Sequence, residues 1–315
     1  MFTNDERKRK ATDFSARLRG VVVPLASPLL EDESPDIQGL SRLVDHVITG
    51  GVDAIFSLGT TGEFARFDGS TRARIASATV RAAAGRVPVL VGASDTGTRL
   101  VIEHIEDAAT AGADATVVSL PYYFPVKDEG EVLSFYQAVA AASPLPIVLY
   151  NIPATCGADI GVETFRKLLE LDGIVGFKDS SGSMDYLRAI MAVAGPDFPV
   201  FVGEERLCAE GLEAGAAGLV PSLANVFPRV FAELYAAAGR KDFARARELQ
   251  KDIAAMNSFN LYSGSWLSAV AWRKTALSLM GICGETMTEP YVPVDAATRA
   301  SIASLVARNG YSLRV

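Results

Sequence analysis

"GIVGFKDSSG", residues 173–182, carries a lysine at the end of a run that otherwise reads as a buried strand. Gly173 to Phe177 offer no polar surroundings, and Lys178 is followed at once by Asp179, Ser180 and Ser181. The question is why an ammonium group stands at the lip of an apolar core. The answer depends on the fold, and this stretch repeats a pattern seen seven more times. "GVVVPLA" from Gly20, "DAIFSLG" from Asp53, "VPVLVG" from Val87, "ATVVSL" from Ala115, "PIVLY" from Pro146, "PVFVG" from Pro199 and "GLVPS" from Gly218 are each short, β-branched and bounded by Gly or Pro. Their continuous apolar character predicts parallel strands covered on both faces.

Between them lie helical patterns such as "IQGLSRLVDHVITGG", "STRARIASATVRAAAG", "TRLVIEHIEDAATAGA" and "GEVLSFYQAVAAA", with apolar residues at spacings of three and four. Eight strand–helix units over residues 20–240 predict a single (β/α)8 barrel of the TIM type. A doubly wound open sheet is the alternative, but no glycine-rich phosphate turn follows the first strand. Residues 241–315 predict three further helices, an appended C-terminal layer rather than a separate domain. Residues 1–19 mix acids and bases and read as a solvated, charged extension without the apolar region of a secretory signal.

With a net charge of -7 the 315-residue chain has no basic face for nucleic acid or anionic lipid. No stretch reaches the length of uncharged apolar sequence that spans a bilayer. Cys156, Cys208 and Cys283 lie far apart without pairing rhythm, which points to a reducing cytoplasm rather than a disulfide framework. No His, Cys and carboxylate cluster has metal-ligand spacing, and His46 and His104 fall inside predicted helices. "SDTG" at Ser94–Gly97 resembles an aspartic-protease motif but lacks a paired carboxylate.

In a barrel of this kind the active site lies at the carboxyl ends of the strands. Lys178 ends the sixth, Tyr150 ends the fifth, and Thr60 and Thr61 lie just past the second. The lysine has two readings. It is either a snorkelling rim side chain or a desolvated amine, and a neutral amine forms a Schiff base with a ketone. Tyr150 is either a rim aromatic or the proton shuttle that such chemistry needs. "GTTGE" is either a simple turn or a carboxylate cradle of backbone N–H groups and two hydroxyls.

Taken together, "GTTGEF", "PYYFP", "YNIPATCG", "GFKDSSG" and "GLVPSLANVFP" resemble, in order and spacing, the dihydrodipicolinate synthase / N-acetylneuraminate lyase family of class I aldolases, from about Gly20 to Gly284. The resemblance implies an enzyme that handles pyruvate with no cofactor beyond a covalent imine, and it implies a homotetramer. It assigns the imine to Lys178 and proton transfer to Tyr150. Thr60 and Thr61 would hold the pyruvate carboxylate, with Thr61 also linking the tyrosines. Tyr123 would reach into a neighbouring subunit's site. Glu205, Val220 and Ser222 fall where sialate lyases line their substrate site.

One departure bears on the substrate. In the synthases an arginine follows the "YN-x-P" tyrosine by five residues and binds a second carboxylate; here the position is Thr155. A threonine has no charged fork for a carboxylate. The expectation is therefore a pocket without a cation beyond pyruvate, unless another arginine reaches it from a loop or a neighbouring subunit. Its substrate would be a 2-oxo-3-deoxy sugar acid, cleaved to pyruvate and an aldehyde and met by the hydroxyls of Thr155 and Ser222 and by Glu205. The alternatives are 4-hydroxy-tetrahydrodipicolinate synthase, N-acetylneuraminate lyase, a sugar-acid dehydratase of the same family, and a non-catalytic relic that only binds small ligands. "TEPYVPV" also replaces an Arg-x-Pro motif frequent in the family.

Overall fold

The computed structural model describes residues 4–257 and 266–313. All eight expected strands form: β1 (Gly20–Pro24), β2 (Ala54–Ser57), β3 (Val89–Gly92), β4 (Ala115–Ser119), β5 (Ile147–Asn151), β6 (Ile174–Asp179), β7 (Val200–Val202) and β8 (Gly218–Leu219). Every neighbouring pair is parallel, and the sheet closes in sequence order as β8 returns to β1. The strands are buried along nearly their whole length, which explains their unbroken apolar runs. Asp36, Asp68 and Asp295 start helices by accepting hydrogen bonds from the backbone N–H groups of Gly39, Thr71 and Thr298.

Closure depends on a missing side chain. Gly218 pairs with Gly20 across the seam. A Cβ at Gly218 would lie 2.0 Å from the carbonyl oxygen of Gly20 and 2.8 Å from the Phe201 ring. Below the mouth the barrel is packed. Leu18, Val22, Leu90, Val117, Val148, Phe201 and Val220 leave a void of only about 10 Å³ around the stem of Lys178, no more than a single water needs.

Leu18 belongs to residues 1–19, expected as a solvated extension, yet it is buried. Asn4–Arg17 is a helix, and Ala11, Phe14 and Leu18 are buried. The Ser15 hydroxyl donates to the carbonyl of Val175 in β6 at 3.0 Å. The charges of "DERKRK" hid an apolar stripe at spacings of three and four that begins just after them.

The C-terminal layer contains the three expected helices, Phe243–Met256, Trp266–Leu279 and Ala296–Arg308. The middle one is unusual. Trp272, Arg273, Lys274, Thr275, Ala276 and Leu277 are all buried, two of them charged. Among the described residues no helix is long and apolar enough to cross a membrane.

The seam generates a test. Gly218→Ala should cost about 1–3 kcal/mol or more, the range for overpacking a core, because its new Cβ meets backbone rather than a movable side chain. Gly239→Ala, where no atom lies within 4 Å of the added carbon, is the control and should be near neutral. Urea denaturation of both variants checks the difference.

Candidate active site

β5 and β6 pair Tyr150 with Lys178, and β6 and β7 pair Lys178 with Phe201. Residues paired across parallel strands project to the same side, so Tyr150 and Lys178 enter the barrel mouth together. The Lys178 amine lies 3.8 Å from the centroid of the Tyr150 ring and 5.1 Å from that of Phe56. Lys178 is only 5% exposed. Among the described residues no carboxylate forms an ion pair with it; ring faces are its partners. Gly203, just past β7, makes room for this arrangement. A Cβ there would lie 3.1 Å from the Lys178 side chain and 2.2 Å from the Ser180 hydroxyl.

The next residues, Asn151 and Asp179, also pair and project the other way. Asn151 donates to Asp179 at 3.0 Å and to Asp159 at 3.2 Å, and accepts from the backbone of Ile160. Asp179 also accepts from the backbone and hydroxyl of Ser181. Burial pushes the Asp179 carboxyl above its ordinary range, with these hydrogen bonds opposing it. This pair ties together the loops that leave β5 and β6, and so fixes the two strand ends that present Tyr150 and Lys178.

After β2 the chain makes a short turn, Thr60–Gly62. The Thr60 hydroxyl lies 3.4 Å from the Tyr150 hydroxyl, while the Thr61 hydroxyl donates to Ser222 at 3.0 Å. Of the two threonines it is therefore Thr60, not Thr61, that reaches Tyr150. Glu63 follows with a left-handed backbone, φ 57, and its side chain turns away into the C-terminal layer. There Lys274 approaches one carboxylate oxygen at 2.5 Å, both side chains being fully buried. The Thr288 backbone and hydroxyl donate to the other oxygen.

A cavity of about 330 Å³ opens over these groups. Lys178, Tyr150, Thr60, Thr61, Thr155, Glu205, Val220 and Ser222, all expected at the site, line it together. Tyr123 does not. It is 80% exposed, with φ 75, and its ring packs edge-on against the equally exposed Phe124. The first tyrosine of "PYYFP", Tyr122, lines the cavity instead, against Phe64.

Two sequence-based expectations change. Glu205 is not free to meet substrate hydroxyls. Its oxygens accept from the Leu223 backbone at 2.6 Å, from Asn257 at 2.5 Å and from Arg273 at 3.2 Å. Nor does the cavity lack cations: Arg273 and Arg66 both line it. Burial pulls the Arg273 guanidinium below the usual arginine range, and Glu205 opposes this. Neither arginine stands near "YNIPATCG" in sequence, so position 155 was a poor witness to the charge of the pocket. The signal that was available is the pair Arg273–Lys274 inside "SAVAWRKTALSLMG", two charges in a helix with no polar face. The motif of "SDTG" has a structural part instead: Asp95 pairs with buried Arg72 at 3.2 Å and with His104 at 2.9 Å.

A model of the Dihydrodipicolinate synthetase family matches residues 17–309. Among curated proteins, an uncharacterized DapA-like lyase of Halobacterium salinarum is 35% identical over 90% of this chain and 92% of its own length. A 4-hydroxy-tetrahydrodipicolinate synthase of Albidiferax ferrireducens is 32% identical over 95% and 99%. Among solved structures, the dihydrodipicolinate synthase of Aquifex aeolicus superposes with a TM-score of 0.88 at 28% identity, over 95% of this chain and all of that one. YagE, a prophage protein of the same family from E. coli K12 solved in complex with pyruvate, gives 0.87 at 29% identity, over 93% and 99%.

The buried Glu63–Lys274 pair generates the second test. Lys274→Met should destabilise by about 3–5 kcal/mol, because it strands a buried carboxylate. Adding Glu63→Gln to that variant removes the stranded charge and should recover part of the loss. Denaturant midpoints of the single and double variants check this, and equal midpoints would show that the pair is not coupled.

Proposed function

Because the chain belongs to the dihydrodipicolinate synthetase family and is a carbon–carbon lyase of that family, we propose that it joins or separates pyruvate and an aldehyde through an imine on Lys178, with a 2-oxo-3-deoxy sugar acid as its substrate. One observation carries the reading: a buried amine faces the Tyr150 ring at 3.8 Å and has no carboxylate partner among the described residues. An amine held by a counter-ion is a structural element, whereas one held only by ring faces remains available as a nucleophile.

The Lys178 amine adds to the C2 carbonyl of the 2-oxo acid, and loss of water gives the protonated imine. The hydroxyls of Thr60 and Thr61 and the N–H groups of their turn hold the C1 carboxylate. A base takes the proton of the C4 hydroxyl, and the C3–C4 electron pair moves into the imine as that bond breaks. The aldehyde leaves, C3 of the enamine takes back a proton, and water releases pyruvate. In this reading Tyr150 moves those protons, and the Thr60 hydroxyl, 3.4 Å from its own, supports it as a relay. The imine is the electron sink, so the reaction as drawn needs no further cofactor.

Tyr123 belongs to this proposal through assembly. An 80% exposed tyrosine held on a left-handed backbone beside an exposed phenylalanine is a side chain presented outward, and we assign it to the site of a neighbouring subunit in a homotetramer. Three free, buried thiols support a reducing compartment, the cytoplasm. A second reading, 4-hydroxy-tetrahydrodipicolinate synthase, is favoured by the names of relatives that align over nearly their full length and by the two arginines on the cavity wall.

Lys178→Ala should end pyruvate release from 2-oxo-3-deoxy acids. Tyr150→Phe keeps the ring and removes the hydroxyl, and it should lower kcat by about 10²–10⁴-fold, the usual contribution of an acid–base group. Steady-state assays of wild type and both variants, on 2-oxo-3-deoxy acids and on aspartate semialdehyde with pyruvate, decide between the readings. Saturable condensation with aspartate semialdehyde as the better reaction would replace the sugar-acid reading with the synthase. A Tyr150→Phe variant within twofold of wild type would leave Tyr150 a rim aromatic.

A further inference from the structure

Each other charged side chain on the cavity wall has a described partner or an assigned task. Glu63 is held by Lys274 and Thr288, Glu205 and Arg273 hold each other, Glu204 lies 3.7 Å from Arg206, and Lys178 is the proposed nucleophile. Arg66 differs. It stands three residues beyond Glu63, on the rim of the same cavity, and no described carboxylate pairs with it. What holds it is Tyr291, from "TEPYVPV". The guanidinium lies over the Tyr291 ring, 4.4 Å from its centroid, and one of its nitrogens donates to the Tyr291 hydroxyl.

A guanidinium carries five N–H donors in a rigid plane. The contact of the guanidinium with the Tyr291 ring and its donor to the Tyr291 hydroxyl together hold the group at the rim. The remaining donors form a preorganised fork suited to a carboxylate, which binds such a fork in a bidentate manner. We propose that Arg66, positioned by Tyr291, binds a second carboxylate at the end of the substrate remote from the imine. This rests on the imine reading and narrows its substrate class: the aldehyde half carries an acid, and the 2-oxo acid is anionic at both ends. Arg66 then supplies, from the turn after β2, the cation that Thr155 does not supply from the loop after β5.

The test compares two substrates of equal length, a six-carbon 2-oxo-3-deoxy-4-hydroxy acid ending in carboxylate and its counterpart ending in hydroxymethyl. Wild type should prefer the diacid in kcat/KM. In Arg66→Met the diacid-to-monoacid ratio of kcat/KM should fall about 10–100-fold, chiefly through KM, as expected for one or two lost charge-assisted hydrogen bonds. Tyr291→Phe, which keeps the ring and loses only the hydroxyl, should lower the ratio by a smaller factor. Should Arg66→Met fail to fold, Arg66→Gln keeps a donor for Tyr291, removes the charge and reads the same ratio. A ratio unchanged within twofold overturns the proposal, because both substrates falling together means that Arg66 only latches Tyr291 to the rim. A wild type that prefers the monoacid overturns it too. Borohydride trapping of wild type with pyruvate separates the two levels: trapping with an unchanged ratio removes only Arg66, whereas no trapping removes the imine reading and this proposal with it.

Discussion

The register between β5 and β6 is the constraint from which the site follows. Pairing Tyr150 with Lys178 puts a phenol and an amine side by side in the barrel mouth. A one-residue slip of β6 against β5 would turn Lys178 out of the mouth and bring a neighbour such as Asp179 in beside Tyr150. The pair that faces outward is itself a lock. Asn151 and Asp179 hydrogen-bond each other and the loops that follow their strands, so the same register that aims the phenol and the amine also fixes the backbone beneath them. An amine drawn out of water with only ring faces for company is costly to a fold, and cation–π contacts of this kind return a part of that.

The C-terminal layer completes what the barrel begins. Arg273 and Lys274 are consecutive residues of one buried helix, and each takes a carboxylate from a different loop of the mouth. Lys274 holds Glu63 after β2, and Arg273 holds Glu205 after β7. Two loops from separate strands are thus tied to one rigid element. The left-handed backbone at Glu63 belongs to this arrangement, since it carries the carboxylate to Lys274 and Thr288. Buried pairs of this sort contribute more to geometry than to net stability, and here the geometry is that of the turn carrying Thr60 and Thr61.

The barrel was legible in the sequence because its signals are local. Eight apolar runs between Gly and Pro, each followed by a helical period, name their strands without any long-range information. Lys178 and Tyr150 were legible for the same reason, as polar residues at the end of such runs. The helix of Asn4–Arg17 was not legible because seven charged or polar residues, 4–10, precede the stripe of Ala11, Phe14 and Leu18. The charge of the pocket was misread for a different reason. Glu205 and Arg273 are 68 positions apart and Thr288 and Glu63 are 225 apart, and no local pattern announces contacts of that span. Thr60 and Thr61 are neighbours whose hydroxyls diverge by one turn of backbone, a distinction that requires coordinates.

The central claim is that Lys178 is the nucleophile. Its most direct test is to incubate the protein with pyruvate, reduce with borohydride, digest, and locate the adduct by mass spectrometry. The account predicts one lactyl-sized mass increment, confined to the peptide that carries "GFKDSSG" and assigned to Lys178. Full occupancy of a different lysine, or pyruvate-dependent turnover with no adduct on any lysine, would contradict it.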